Sequence, residues 1–393
     1  MNQVHLWQEE AIAADGYITL SATFEAPQQS RKSLWYRVPL EYSDYLTHSC
    51  DPFVIATLFV AMSQSADLVV HGEVSPSLIH NLEEFQSAWS CWRPDHYHPV
   101  AIQAETEQEL VKASSEERAI TAFSGGVDSC YTALRHRRGL CKRSQRNLQT
   151  GMLVHGFDIP LRQTDSFDKA VEGSRVMLSS LGMDLIPLAT NFRQVVRLNW
   201  EDVFGAAIAS CLTLFRNHYT TGLIPASYSY HTLAFPYGSN PVSDRLLSSQ
   251  SFEIVHDGAD SGRIHKIRHL ANWDEGLRHL RVCWEGADKY RNCGRCEKCI
   301  RNILNFRIIG IDSPPCFDHL VTNQEVRSLR VKNAQLDALK FLLRAAQDAN
   351  ISDSWVHALE QAIHRNQRIE FIKSCVPDSL KQQLKQSQFF SKR

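Results

Sequence analysis

The chain has 393 residues, with 42 Lys and Arg against 43 Asp and Glu, so its formal net charge is −1. That balance excludes a global polycation design and argues against nonspecific nucleic-acid binding. With 43% hydrophobic, 9% aromatic and 22% charged residues, disorder, collagen and coiled coil are excluded as the main architecture, and the length allows two or three packed units.

The N-terminus, Met1 to His5, lacks a basic stretch followed by an apolar core, so no secretory signal and a cytoplasmic location are expected. Alternating runs at 16–24 and 33–38 predict antiparallel strands, 52–62 is an apolar helix-like stretch, and a mixed segment follows around 78–92. The longest apolar runs, 53–62 and 203–215, are short of the roughly 20 residues that span a bilayer. A boundary is expected between Pro94 and Arg118, where the charged run 105–117 reads as a linker or solvated helix.

From Arg118 onward the pattern alternates strand and helix, which favours a parallel sheet covered on both faces. Strands are predicted at 119–123, 152–157, 185–188, 219–224 and 252–255, with helices after Gly126, around Val171 to Leu181, and at 203–215. Leu336, Leu339, Leu343 and Ala346, then Trp355, Leu359 and Ile363, recur at helical spacing, so a helical extension is expected from about 320. The polar tail 381–393 is expected to be mobile unless Leu384, Phe389 and Phe390 dock. The expected organisation is thus a β-rich accessory domain at 1–110, an α/β core at 111–320 and a helical extension at 321–393.

The stretch Ser124-Gly125-Gly126-Val127-Asp128-Ser129 lies at a strand end and opens a helix. It has neither the Walker A nor the dinucleotide spacing. Two adjacent glycines let a ligand approach the backbone, the helix N-terminus adds partial positive charge, and Ser124 and Ser129 add hydroxyls; such a site suits phosphate oxygens. Asp128 would repel bare phosphate, which makes sense if it holds Mg²⁺. The bland alternative is a tight turn with an early-helix Asp-Ser pair.

Of eleven cysteines, Cys283, Cys293, Cys296 and Cys299 cluster, with spacing suited to a closed tetrahedral zinc shell and Gly294 easing the knuckle. An Fe–S cluster or a redox pair are the rivals. Arg263, Lys266 and Arg268 precede the first of these cysteines; Lys266 is the choice for reaching phosphate, against the reading of a solvated basic face. Asp158 follows the second core strand and suits either the nucleotide or a loop cap. Asp244, in the turn-rich loop 236–245, suits the donor edge of a guanine-like ring.

The glycine loop resembles the pyrophosphate loop of the PP-loop ATP pyrophosphatases, and with the four cysteines the stretch 119–306 looks like the QueC-like branch, the 7-cyano-7-deazaguanine synthases. The resemblance implies a HUP-like fold, a five-stranded parallel sheet with helices on both faces. It implies ATP, Mg²⁺ and Zn²⁺ as cofactors and a ligase that adenylates the carboxylate of 7-carboxy-7-deazaguanine, then joins it to an amine, releasing AMP and pyrophosphate. On that match Ser124, Gly125, Gly126, Asp128 and Ser129 hold the nucleotide, and the four cysteines hold zinc. The additions before and after the matched part resemble enlarged QueC-like proteins of bacterial anti-phage defence, the QatC-like type, so a protein N-terminal amine is the expected acceptor, with no nucleic-acid or membrane partner. The rivals are a conventional ammonia-using nitrile synthase, a tRNA-modifying PP-loop enzyme using the basic run 135–146, and an inactive nucleotide-binding scaffold.

Overall fold

The computed structural model describes residues 2–110, 116–332 and 334–375, without the side chains of 373–375. The tail 381–393 with Leu384, Phe389 and Phe390, and positions 111–115 of the run 105–117, lie outside the described residues.

The chain begins with strands β1 (Gln3–Gln8), β2 (Ile12–Ala14), β3 (Tyr17–Glu25) and β4 (Lys32–Pro39), then helix α1 (Asp51–Ser63), β5 (Asp67–Val74), α2 (Pro76–Trp92) and β6 (Ile102–Glu107). Leu20, Ala22 and Phe24 of β3 and Leu34, Tyr36 and Val38 of β4 are buried at every second position, as expected of strands with one face against a core. The core follows as β7 (Ala119–Ala122), α3 (Val127–Arg137), β8 (Leu148–His155), α4 (Thr164–Ser180), β9 (Asp184–Thr190), α5 (Phe192–Val195), α6 (Trp200–Thr213), β10 (Thr221–Pro225), β11 (Glu253–Asp257), α7 (Arg263–Leu270) and α8 (Asp274–His279).

Strands β11, β10, β7, β8 and β9 lie side by side and parallel. The order reverses at the β7–β10 pair, the switch point at which open α/β sheets bind ligands. Right-handed crossovers in opposite directions put helices on opposite faces: α3 and α4 with α7 and α8 on one, α6 with α1 on the other. The expected free-standing five-stranded parallel sheet is corrected here. The five strands are one flank of a mixed eleven-stranded sheet, because β4 pairs antiparallel with β9 and carries the order on through β3, β1, β5 and β6. This pairing satisfies an edge that would otherwise expose unpaired N–H and C=O groups.

The same pairing explains the burial of α1, in which every residue from Asp51 to Met62 is buried. It packs between the sheet and α6 and so needs no polar face. Asp51 accepts from Ser75 (N 2.9 Å, Oγ 2.7 Å) and pairs with Arg216, and Tyr36 hydrogen-bonds Ser210 of α6. The compact units accordingly differ from the expected three-part division: one runs to residue 291, so the point 110/111 falls within it, and the second runs from residue 292.

The second unit holds α9 (Glu297–Ile308), α10 (Asn323–Ser328), α11 (Ala334–Asp348) and α12 (Ser354–Cys375). Thr322 and Glu325 form a capping box at α10, and buried Leu336, Leu339, Trp355, Leu359 and Ile363 occupy the apolar stripes read from spacing.

Candidate active site

The glycine loop joins the carboxyl end of β7 to α3. Gly125 has φ +73°, the left-handed region that favours glycine, and its Cα faces the Cβ of Arg281 at a distance that an added Cβ would close to 3.6 Å. Gly126 is the N-cap of α3 in extended conformation. Ser129 is buried; its hydroxyl accepts from the Ser124 amide (3.2 Å) and donates to the Gly126 carbonyl (3.1 Å). It braces the loop from inside, while the exposed Ser124 hydroxyl accepts from the Gly126 amide at 3.3 Å. The first turn of α3 directs its N–H groups at the space in front of the loop, since those groups lack intrahelical partners.

Helix α7 brings two cations to this turn. Lys266 Nζ lies 2.9 Å from Asp128 Oδ1, and Arg263 Nη2 lies 3.0 Å from Asp128 Oδ2. The spacing i, i+3 places both on one face of α7, whereas Arg268 is exposed on another. Lys266 is buried and also donates to the Ala226 carbonyl at 2.6 Å, tying the loop after β10 to the loop after β7. The negative charge of Asp128 is therefore more than offset, which removes the objection to phosphate binding beside it.

Arg281 was not singled out from the sequence. Its amide donates to the Gly125 carbonyl (2.8 Å), its Nη2 to the Ser124 carbonyl (2.8 Å) and its Nη1 to the Lys289 carbonyl (3.2 Å). Burial pulls its pKa below the ordinary guanidinium value, opposed mainly by the charge of Asp158. Asp158 is exposed just beyond β8, so the structure brings this sequence-selected residue into the electrostatic surroundings of the loop.

Asp244 is placed differently from the sequence expectation. It is fully buried and accepts from Ser239 Oγ (2.7 Å), the Asn240 amide (3.1 Å) and His256 Nδ1 (2.8 Å), so it braces the loop after β10 rather than offering a free edge. That loop instead contributes aromatic rings. Tyr228 and Phe204 each lie 4.9 Å from Tyr237, and the ring contacts continue through Trp200 at 6.2 Å to Phe157 at 5.2 Å. Burial raises the Tyr237 pKa, and the charges of Glu201, Tyr228 and Asp128 add to this against a lowering hydrogen bond with Ser227. Aromatics at the carboxyl ends of core strands were the available sequence signal.

The four clustered cysteines have sulfur atoms all within 4.8 Å of one another. Cys293 and Cys299 Sγ are 3.8 Å apart, which fits the edge of a tetrahedron with Zn–S of about 2.3 Å. The amides of Gly286, Cys296 and Cys299 donate to the sulfurs of Cys283, Cys293 and Cys296 at 3.3, 3.3 and 3.4 Å. Such donors suit thiolates, so the residues fit a zinc ion.

The basic run is largely pinned to the protein. Arg135 pairs with Asp260 (2.8 Å), His136 with Asp257 (3.1 Å), and Arg146 with Glu117 (2.8 Å) and Glu253 (2.9 Å). Arg137 and Arg138 donate to the carbonyls of Leu181 and Asn272. Among the described residues no helix is long and apolar enough to cross a membrane.

No family model matches the chain, and no solved structure matches it. Among curated proteins it is similar to the 7-cyano-7-deazaguanine synthase of Azotobacter vinelandii, 24% identical over 228 residues, covering 51% of this chain and 98% of the relative. The relative is thus matched almost end to end by about half of this chain, and the similarity suggests an enzyme of the QueC-like kind.

Proposed function

We propose that the chain is an ATP-dependent carbon–nitrogen ligase of the QueC-like kind, acting on a deazaguanine-type carboxylate such as 7-carboxy-7-deazaguanine. The observation that carries this reading is the convergence of Lys266 and Arg263 on Asp128 at the glycine loop, in a chain similar to a deazaguanine synthase. The Ser124 hydroxyl and the amides of the loop and of the first turn of α3 hold phosphate oxygens. Lys266 and Arg263 stand where charge develops on departing pyrophosphate, the placement from which electrostatic stabilisation acts most strongly. Asp128 holds these cations in the resting protein; Mg²⁺ at its carboxylate requires that they turn toward the phosphates. ATP supplies the activation: its α-phosphorus takes the carboxylate oxygen and expels pyrophosphate, and an amine then displaces AMP at the acyl carbon. The Phe157–Trp200–Phe204–Tyr237 run offers flat surfaces on which a planar ring stacks.

Zn²⁺ at Cys283, Cys293, Cys296 and Cys299 has a structural role in this reading, because four thiolates leave no open position. The half of the chain outside the match supports a larger acceptor than ammonia, here a protein N-terminal amine of an anti-phage defence system. The similarity to a 7-cyano-7-deazaguanine synthase favours a second reading, ammonia-dependent nitrile synthesis. Incubation with ATP, Mg²⁺, 7-carboxy-7-deazaguanine and either ammonia or the candidate partner protein distinguishes them by mass spectrometry. The expected result is acid-dependent pyrophosphate release, lost in Asp128→Ala, with an adduct on the partner's terminus. Efficient nitrile formation without a partner overturns the protein-acceptor reading, and absence of ATP cleavage under all conditions overturns both.

A further inference from the structure

We propose that Arg281 is a positioning residue that presets the phosphate loop and places a buried positive charge behind it. This rests on the reading of loop 124–126 as a nucleotide phosphate site.

Three contacts of Arg281 end on neutral carbonyls: those of Ser124, Gly125 and Lys289. Its backbone amide takes the Gly125 carbonyl and its guanidinium takes the Ser124 carbonyl, so the acceptors of two successive loop residues turn inward, the second of these contacts resting on the side chain. The Ser124 and Gly126 amides are engaged by the Ser129 and Ser124 hydroxyls, so the loop held this way presents the exposed Ser124 hydroxyl and the first turn of α3 to an anion on the other side.

The charge balance supports the same role. Other buried arginines in this unit have carboxylate partners: Arg216 pairs with Asp51, and Arg135 with Asp260 and Asp257. Arg281 is 9% exposed, and among the described residues it makes no ion pair. Asp158, Cys130 and Cys283 act on it electrostatically without forming an ion pair. A buried cation with no contacting counter-charge is costly. Directly behind a loop that leads into the amino-terminal turn of α3, an anion bound in front of the loop offsets that cost.

The test uses the full-length zinc-loaded protein and compares wild type, Arg281→Lys and Arg281→Met. Calorimetry reads the binding of Mg-ATP and of inorganic pyrophosphate at several salt concentrations, and hydrogen exchange reads the amides of Gly125 to Val127. Arg281→Met is expected to bind both ligands about 10- to 100-fold more weakly, the range for losing hydrogen bonds to a charged group. Its salt dependence should be shallower, its loop amides should exchange faster, and added guanidinium ion should restore part of the affinity. Arg281→Lys keeps the charge and is expected to fall between the two with wild-type salt dependence. Wild-type affinity and loop exchange in Arg281→Met overturn the proposal, as do equal losses in both variants that follow only the melting midpoint. If Arg281→Met does not fold, Arg281→Lys decides: weaker ATP binding at a native melting midpoint supports the role, and native affinity overturns it. Wild-type protein that binds neither ATP nor pyrophosphate removes the phosphate-loop reading itself, and this proposal with it.

Discussion

Helix α3 has a charged cluster at each end, and the two are built differently. At its carboxyl end Arg135 and His136 meet Asp257 and Asp260, and Thr132 donates to Asp257 at 2.7 Å. Arg135 and an imidazole hydrogen-bonded to Asp257 face two carboxylates there, in a setting where the helix dipole favours positive charge. At its amino end Asp128 pairs with Lys266 and Arg263, with Arg281 behind the loop and Asp158 acting on Arg281 without an ion pair. The carboxyl-terminal cluster holds α3 to the end of β11. The amino-terminal one joins two cations to one carboxylate, the arrangement on which the proposed anion site rests. Residue types alone do not separate structure from site; the local charge count does.

The sharpest way to break this contrast is Asp257→Ala. Removing one member of a buried pair strands the others, so a stability loss of about 3–5 kcal/mol is expected in chemical denaturation. ATP affinity of the folded fraction should stay near the wild-type value, and a specific loss of ATP binding at native stability would merge the two clusters into one site. Lys266→Met probes the other end. Pyrophosphate release is expected to fall about 10²- to 10³-fold, the scale for removing one donor to developing charge, with a smaller change in melting midpoint because Arg263 still pairs Asp128. Turnover that survives this change would make the amino-terminal cluster structural too.

A pH series sharpens the contrast further. Burial disfavours charge on His136, but hydrogen bonds to Asp257 and Cys141 and the Asp257 charge outweigh it and raise the pKa to about 9. Its stabilisation is therefore complete below the unfolded value near 6.5 and is lost as pH rises through about 9. Burial pushes the Asp257 carboxyl up, yet His136 and Arg135 hold it below its ordinary value, so its contribution is lost as pH falls through that depressed value. Urea unfolding between pH 6 and pH 9.5 should show a decline on the order of 1–3 kcal/mol, flattened in His136→Gln. The smallest effect is expected at Asp244→Asn, about 0.5–1.5 kcal/mol from weakened loop hydrogen bonds. A rise in KM for the deazaguanine acid larger than the fall in melting midpoint accounts for would return Asp244 to the substrate site.

Much of the site was legible in the chain because its signals are local. The glycine pair, the serine and aspartate of the helix start and the cysteine spacing each act over a few residues. Lys266 was selected among three cations only as a candidate; the face of α7 that meets α3 admits Arg263 and Lys266 and sends Arg268 to solvent. Arg281 carried no local signal, since a lone arginine before a cysteine looks like any surface charge until its carbonyl partners are in place. Asp244 was misplaced for the opposite reason. A polar, turn-rich loop reads as exposed, but His256 arrives from β11 to complete its hydrogen bonding and bury it.

The sequence by itself determined the strand–glycine turn–helix of the loop, the four-thiol cluster, the order of the five core strands and the apolar stripes of the last helices, because periodicity, turn chemistry and ligand spacing are properties of neighbouring residues. Only the tertiary structure decided that β4 closes the edge of β9 and merges front and core into one sheet. It alone decided which cations face Asp128 and that Arg281 grips the loop from behind. Those outcomes depend on pairings between positions more than a hundred residues apart, where sheet-edge hydrogen bonding and buried charge balance choose among partners that the local sequence leaves equivalent.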